Sequence, residues 1–257
     1  MADLTISVCH LYPDLMNLYG DRGNIIAFTR RCEWHGIKTV VQSVTLNQVV
    51  DFTTFDFIFM GGGQDREQQA ICYDFQQVKG TSLHEAVEAG VALLGICGAY
   101  QLLGRSYKTG EGLELPGLNI LDVWTEAGHR RMIGNIVEES DLFPGGPKTL
   151  VGFENHSGRT FLGPKVRPLG KVLVGYGNNG EDGTEGAVYQ HAIGTYLHGS
   201  ALPKNPWLTD LLITWALERR YGRVSLKELD DSLEVRAHQA ARRRAQETWG
   251  KIKAGVK

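Results

Sequence analysis

Cysteine is scarce and scattered in this chain of 257 residues: Cys9, Cys32, Cys72 and Cys97 form no CxxC pair and no regular framework. That excludes a disulfide scaffold and points to reduced thiols. No apolar run reaches the roughly 18 residues that would suggest a membrane span. The opening MADLTISVCHLY has neither the basic start nor the cleavage site of a secretory signal, so a cytoplasmic protein is expected and direct membrane insertion is not. No charge dominates: 27 Lys and Arg against 29 Asp and Glu leave a formal net charge of −2, which gives no overall attraction to nucleic acid. No GxxxxGK[ST] P-loop occurs and no His, Cys and Asp spacing matches a zinc or iron site, so neither a nucleotide cofactor nor a metal is expected on this chain. What remains, 42% hydrophobic and 22% charged, is the composition of an ordinary globular protein, long enough for one α/β domain with additions.

Through the first hundred residues apolar β-rich runs alternate with helical patterns. Strands are predicted over 4–12, 38–44, 57–60 and 91–96, and helices over 24–35, 65–78 and 82–89, the last opened by a Ser82/Glu85 capping box. This alternation builds a mainly parallel sheet, and such sheets take ligands at the carboxyl ends of their strands. Residues 119–190, rich in Gly and turns, read as hairpins and loops. AIGTYLHG then ends a further strand at His198, and Asn205-Pro206 supplies the N-cap and N1 of a helix bearing Trp207, Leu208, Leu211, Leu212 and Trp215 on one face. Residues 225–249 form a last, more polar helix. The reading is therefore one domain over 1–222, with a C-terminal basic helical extension over 223–257. From Arg219 to Lys257 there are eleven Lys and Arg against five Asp and Glu, the pattern of a solvated helix face or of a helix that docks on an acidic partner surface.

The stretch LLGICGAYQLLG, residues 93–104, sets Cys97 between a strand-like run and a helix start made of small residues. A sharp strand-to-helix turn needs neighbours without bulk, which Gly95, Gly98 and Ala99 supply, and it projects a side chain into a cleft. Amides at the start of the helix suit a thiolate nucleophile, and the Gly98 N–H can face a developing oxyanion. A cysteine nucleophile needs a base. Among eight histidines, His35, His84 and His238 fall in polar helical patterns and read as solvated, whereas His198 closes a buried-looking strand and should emerge at the same sheet edge as Cys97. Gly61, Gly62 and Gly63 follow the strand 57–60 and should open onto that edge too.

These residues carry a resemblance. Gly-Ile-Cys97-Gly-Ala-Tyr-Gln with a distant Tyr-Leu-His198-Gly resembles the class I (triad) glutamine amidotransferases of the cobyric acid synthase-like subfamily. The segments LYPDLMNLYGDRGNI, FMGGGQDREQ, VGFENHSGRT, YGNNGED and IGTYLHGSALPKNP resemble, over nearly the whole chain, the stand-alone glutaminase subunits of lipid II isoglutaminyl synthase, which work with a Mur-ligase-like subunit of the MurT type. The resemblance implies a three-layer flavodoxin-like α/β fold with a mainly parallel central sheet, and a heterodimer with that ligase. It implies that Cys97 attacks the carboxamide of L-glutamine and releases ammonia, that Gly62 and Gly98 form the oxyanion hole, that Gln101 helps to hold the substrate, and that Arg131 clamps its α-carboxylate. ATP and metal would belong to the ligase, which amidates the D-glutamate α-carboxylate of lipid II in peptidoglycan synthesis. Service to another amide-forming synthetase, as in cobalamin-type biosynthesis, and a non-catalytic scaffold of the same fold are the alternatives. One position departs from the family: two residues after the histidine, where a Glu normally orients the imidazole, stands Ser200. On that ground Cys97 and His198 act as a dyad or receive a carboxylate from elsewhere, the partner being one source, and the isolated chain is expected to be a slow glutaminase.

Overall fold

The computed structural model describes residues 4–253. In chain order it runs β1 (Thr5–Leu11), α1 (Arg22–Trp34), β2 (Lys38–Val44), β3 (Phe57–Met60), α2 (Asp65–Tyr73), α3 (Gly80–Glu88), β4 (Ala92–Ile96), α4 (Gly98–Leu103), β5 (Ser106–Lys108) and β6 (Glu114–Pro116). There follow β7 (Val123–Ser140), β8 (Lys148–Leu162), β9 (Gly170–Val174), β10 (Thr184–Glu185), β11 (Ala187–Tyr189), β12 (Ala192–Thr195), α5 (Ala201–Lys204), α6 (Pro206–Tyr221) and α7 (Ser232–Lys253). Six strands form the central sheet in the order β11-β12-β4-β3-β1-β2, parallel throughout except for the edge pair β11 and β12. Every residue of β3, β4 and β12 is buried, as expected when a parallel sheet is covered on both faces. Edge strand β2 is mostly exposed.

The middle of the chain contributes a second sheet rather than helices, ordered β10-β9-β7-β5-β6, with β8 paired to β7. Long strands β7 and β8 form an antiparallel hairpin whose register breaks between Ala127 and Met132, opposite Ser157, so that Gly128 to Arg131 bulge out of the ladder. Bulges re-aim side chains, and this one carries Arg131, the candidate carboxylate clamp, beside Arg130. Helix α7 packs on the second sheet, with Ala245, Ala241 and Trp249 against Val137, Val151 and Val174.

Several local expectations need correction. Ser82 opens no helix: its hydroxyl accepts from the Phe52 N–H, and a π-helical stretch over Asp74–Lys79 joins α2 to α3. The capping box lies instead at Gln64 and Glu67, at the start of α2. The strand before His198 ends at Thr195, and His198 sits in an irregular segment where its backbone pairs with Phe153 in both directions. The last helix begins at Ser232, not at 225. His35, His84 and His238 are not solvated: they bond Asp210, the Leu118 carbonyl, and both Thr149 Oγ1 and the Lys204 carbonyl, respectively.

Candidate active site

Four adjacent parallel strands deliver the site. Past the carboxyl ends of β12, β4, β3 and β1 lie His198, Cys97, Gly62 and Asp21, and all four come together at one edge of the sheet. Cys97 is the turn between β4 and α4, with φ 51° and ψ −102°. That left-handed backbone is rare for a residue with a Cβ and is held here by its surroundings: the Cys97 N–H donates to the Thr195 carbonyl at 2.8 Å, and its carbonyl accepts the Gln101 N–H at 3.0 Å. Gly98 is required by close packing, because a Cβ there would stand 2.7 Å from the Gly63 carbonyl oxygen and 2.9 Å from the Gly63 nitrogen.

His198 is buried. Behind it, the Glu185 carboxylate accepts from Thr195 Oγ1 at 2.9 Å and from the Tyr196 N–H at 2.6 Å, which anchors the backbone leading to the imidazole. Its Nδ1 stands 3.6 Å from Asp21 Oδ1, within ion-pair range. Burial works against a charged imidazole, but the negative charge on Cys97 and the contacts with Asp21 and Cys97 outweigh it and raise the pKa to about 10. This environment favours the protonated imidazole.

Gly62 is where the groups converge. A Cβ on it would lie 3.0 Å from His198 Cε1, 3.2 Å from Asp21 Oδ2 and 3.4 Å from Cys97 Cβ, so only a residue without one leaves the three undisturbed. Its amide, read from the sequence as an oxyanion donor, is committed elsewhere: the Gly62 N–H donates to Asp21 Oδ2 at 2.7 Å. The neighbouring amide of Gly63, beside Gly98, donates to no acceptor among the described residues, and neither does that of Gly98. The Gly62 amide is thus taken up by Asp21, while those of Gly63 and Gly98 lie side by side next to Cys97.

The cleft over Cys97, about 500 Å³, is walled by Gly62 to Arg66, Gln68, Gln101, Tyr107, Arg131, Asn155 to Gly158 and His198. That volume suits a small ligand. Arg131 leaves the β7 bulge toward this cleft, with its Nε donating to Asn155 Oδ1 at 2.6 Å, while Arg130 turns away to lie over the Tyr176 ring and donate to its hydroxyl. Gln101 is buried rather than on a helix surface. Its Oε1 accepts from Gln68 and its Nε2 donates to the Tyr196 hydroxyl, so this side chain lines the cleft while tied into a fixed network.

Asp21 escaped the sequence reading, as did the work of the ENH segment. Asn155 orients Arg131. Glu154, whose pKa burial pushes up to about 8, accepts the N–H groups of Tyr176 and Gly177 and pins that loop to β8. His156, held neutral by burial with its pKa down at about 3, stacks on Tyr196 with ring centroids 3.6 Å apart. The missed signal for Asp21 is topological. It lies in the loop after β1, next to β3 in the sheet, and so belongs to the same carboxyl edge.

Residues 7–206 match the family model of the CobB/CobQ-like glutamine amidotransferase domain. The chain belongs to this family. Among its relatives, the amidotransferase is 46% identical over 239 residues to the lipid II isoglutaminyl synthase (glutamine-hydrolyzing) subunit GatD of Staphylococcus aureus strain N315, covering 93% of this chain and 95% of that one. It is 38% identical to the GatD subunit of Streptococcus pneumoniae strain R6, covering 89% and 87%. In fold it is similar to the glutaminase domain of Trypanosoma brucei CTPS with bound acivicin, at a TM-score of 0.52 and 10% identity, covering 86% of this chain and all of that domain. No described helix of the amidotransferase is long and apolar enough to cross a membrane, and among the described residues no group of three or more His, Cys, Asp and Glu could hold a metal ion.

Proposed function

We propose that this amidotransferase is the glutaminase subunit of a lipid II isoglutaminyl synthase. It would hydrolyse L-glutamine and pass ammonia to a MurT-like, ATP-dependent Mur-ligase subunit, which amidates the D-glutamate α-carboxylate of lipid II. The observation that carries the reading is the convergence of Cys97 and His198 on Gly62 at the floor of a cleft walled by Arg131, in a chain similar to GatD subunits over nine-tenths of its length.

The Arg131 guanidinium presents parallel donors that match the α-carboxylate of glutamine. The Cys97 thiolate attacks the side-chain carboxamide carbon, and the carbonyl oxygen takes up negative charge toward the Gly63 and Gly98 N–H groups. As that intermediate collapses, the C–N bond breaks, His198 gives its proton to the leaving nitrogen, and ammonia departs from a glutamyl thioester. Neutral His198 then takes a proton from water, the resulting hydroxide breaks the C–S bond, and glutamate leaves. The sum is glutamine and water to glutamate and ammonia, with the thiolate–imidazolium pair restored. ATP and its metal serve the ligase, whose substrate carboxylate must be activated before ammonia can attack it.

The test is reconstitution with the Mur-ligase-like subunit from the same host. Cys97→Ala should abolish glutamine-dependent amidation of lipid II by several orders of magnitude, while a high concentration of ammonium restores amidation through the intact ligase. Near-normal glutamine hydrolysis by the folded variant would remove the proposal.

A further inference from the structure

Asp21 is fully buried, and its two oxygens point at two different parts of the machinery. Oδ2 accepts the Gly62 N–H at 2.7 Å, whereas Oδ1 has no hydrogen-bond donor and stands 3.6 Å from His198 Nδ1. A carboxylate stripped of water is costly unless it is paired, and its ion-pair partner is the imidazole. The loop that carries it is stitched to the site from three sides. The Leu18 N–H donates to the Gly62 carbonyl at 3.1 Å, Gly62 returns its own N–H to Asp21, and Ser200 Oγ donates to the Gly20 carbonyl at 3.0 Å. Ser200 takes a left-handed backbone, φ 51°, and sits so close to the loop that a Cβ on Gly23 would be 2.1 Å from its hydroxyl. The side chain two residues after His198 is thus turned to the β1 loop, where its hydroxyl is bonded to Gly20.

Resting on the glutaminase reading, we propose that Asp21 is the positioning carboxylate of this site, entering from the loop after β1 in place of an acid at position 200. It does two things at once. One oxygen holds the His198 ring with Nδ1 inward, leaving Nε2 to serve Cys97, and the other fixes the Gly62 peptide so that the next amide, Gly63, faces the oxyanion position beside Gly98. Ser200 and Gly23 keep the loop in place. The titratable groups that act on His198 include Cys97 at the head of α4, Asp21 before α1 and His156 on β8, and the last is neutral. A change in the pH response of the pair on altering Asp21 would therefore come from the lost carboxylate.

Asp21→Asn and Asp21→Ala separate the two tasks. Asparagine keeps a carbonyl for the Gly62 N–H but loses the charge facing the imidazole; alanine loses both. Turnover on glutamine and the alkylation rate of Cys97 by iodoacetamide are measured against pH, with folding checked by circular dichroism. Both variants should move the alkaline limb of Cys97 alkylation and of kcat/KM to lower pH by about one unit or more, the range by which a neighbouring opposite charge shifts a pKa. Asn should lower kcat about tenfold or more, on the scale of impaired general-base catalysis, and Ala should lower it further. Unmoved pH limbs in folded Asp21→Asn would overturn the positioning role, and equal kcat for Asn and Ala would overturn the oxyanion-loop role. Ser200→Glu should reduce turnover, because it removes the hydroxyl that ties the Asp21 loop down at Gly20; a gain would overturn the proposal by showing that the site still lacked its acid. Alkylation needs no glutamine, so failure of the wild type to hydrolyse glutamine would defeat the glutaminase reading while the alkylation profiles still judged Asp21.

Discussion

A single added methyl group at Gly62 tests whether the geometry around Cys97 matters as described. In Gly62→Ala the new Cβ would stand 3.0 Å from His198 Cε1, 3.2 Å from Asp21 Oδ2 and 3.4 Å from Cys97 Cβ, whereas such contacts settle at about 3.5–4.0 Å. The backbone at Gly62 is not left-handed, so alanine fits the main chain and the conflict lies wholly in the side-chain contacts. Relief requires the imidazole and the carboxylate to retreat by several tenths of an ångström. Since a misplacement of about 1 Å can cost roughly a hundredfold, a shift of half that size predicts a loss of about tenfold in kcat. Overpacking of this kind costs about 1–3 kcal/mol in stability, which at about 2–4 °C per kcal/mol lowers Tm without unfolding the protein at assay temperature. The assay is glutamate release at saturating glutamine together with a thermal melt. Gly134→Ala serves as the control, since a Cβ there meets nothing within 4 Å and both readouts should stay at wild-type values. Wild-type kcat in a folded Gly62→Ala variant would refute the convergence of His198, Asp21 and Cys97 on this residue as the determinant of rate.

Replacing Arg131 by Ala should raise KM for glutamine far more than it slows alkylation of Cys97 by a neutral reagent, because the guanidinium is assigned to the substrate carboxylate and not to the thiol; unchanged KM would return it to a surface role. Lys79 is fully buried, paired with Asp74 and 5.2 Å above the Tyr12 ring. Lys79→Met should therefore cost about 3–5 kcal/mol in urea unfolding by leaving Asp74 an uncompensated buried charge, and an unchanged midpoint would refute it. Glu154 has a folded pKa raised from 4.5 to about 8, so the folded state keeps a proton that the unfolded chain loses. Its contribution is full below pH 4.5 and is lost as pH rises to 8, so unfolding free energy should decline over that window, and the decline should flatten in Glu154→Gln.

What could be read from sequence was whatever short-range chemistry imposes. The four runs that became β1 to β4 are short and rich in strand-forming residues, and two of them, Lys38–Val44 and Phe57–Met60, have the bounds their side-chain pattern predicts. The turn at Cys97 is legible because small neighbours are compulsory there: a Cβ at position 98 would strike the Gly63 backbone. The choice of Arg131 comes from the family resemblance, and the structure parts it from Arg130 through a bulge rather than a regular ladder. Helix boundaries were less legible. Ser82 and Glu85 have the spacing of a capping box, yet the π-helical join over Asp74–Lys79 runs the helix past them and hands the Ser82 hydroxyl to Phe52.

The order of the central strands was beyond the sequence, and that order decides the site. Local pattern sets Cys97 at a strand-to-helix turn and the three glycines after a strand, because those demands are met within a few residues. Asp21 and His198 meet only because β1 and β12 flank β3 and β4 in one parallel sheet, so that both chain segments leave it at the same edge and cross above Gly62. The same assembly turned the Gly62 amide toward Asp21 and left the Gly63 amide free, a choice between adjacent peptides that no residue type announces. The sequence by itself therefore determines the turn that carries Cys97 and the class of fold. Which carboxylate faces the imidazole, and which of two adjacent amides that carboxylate takes up, depends on contacts between residues far apart in the chain, and only tertiary packing sets those.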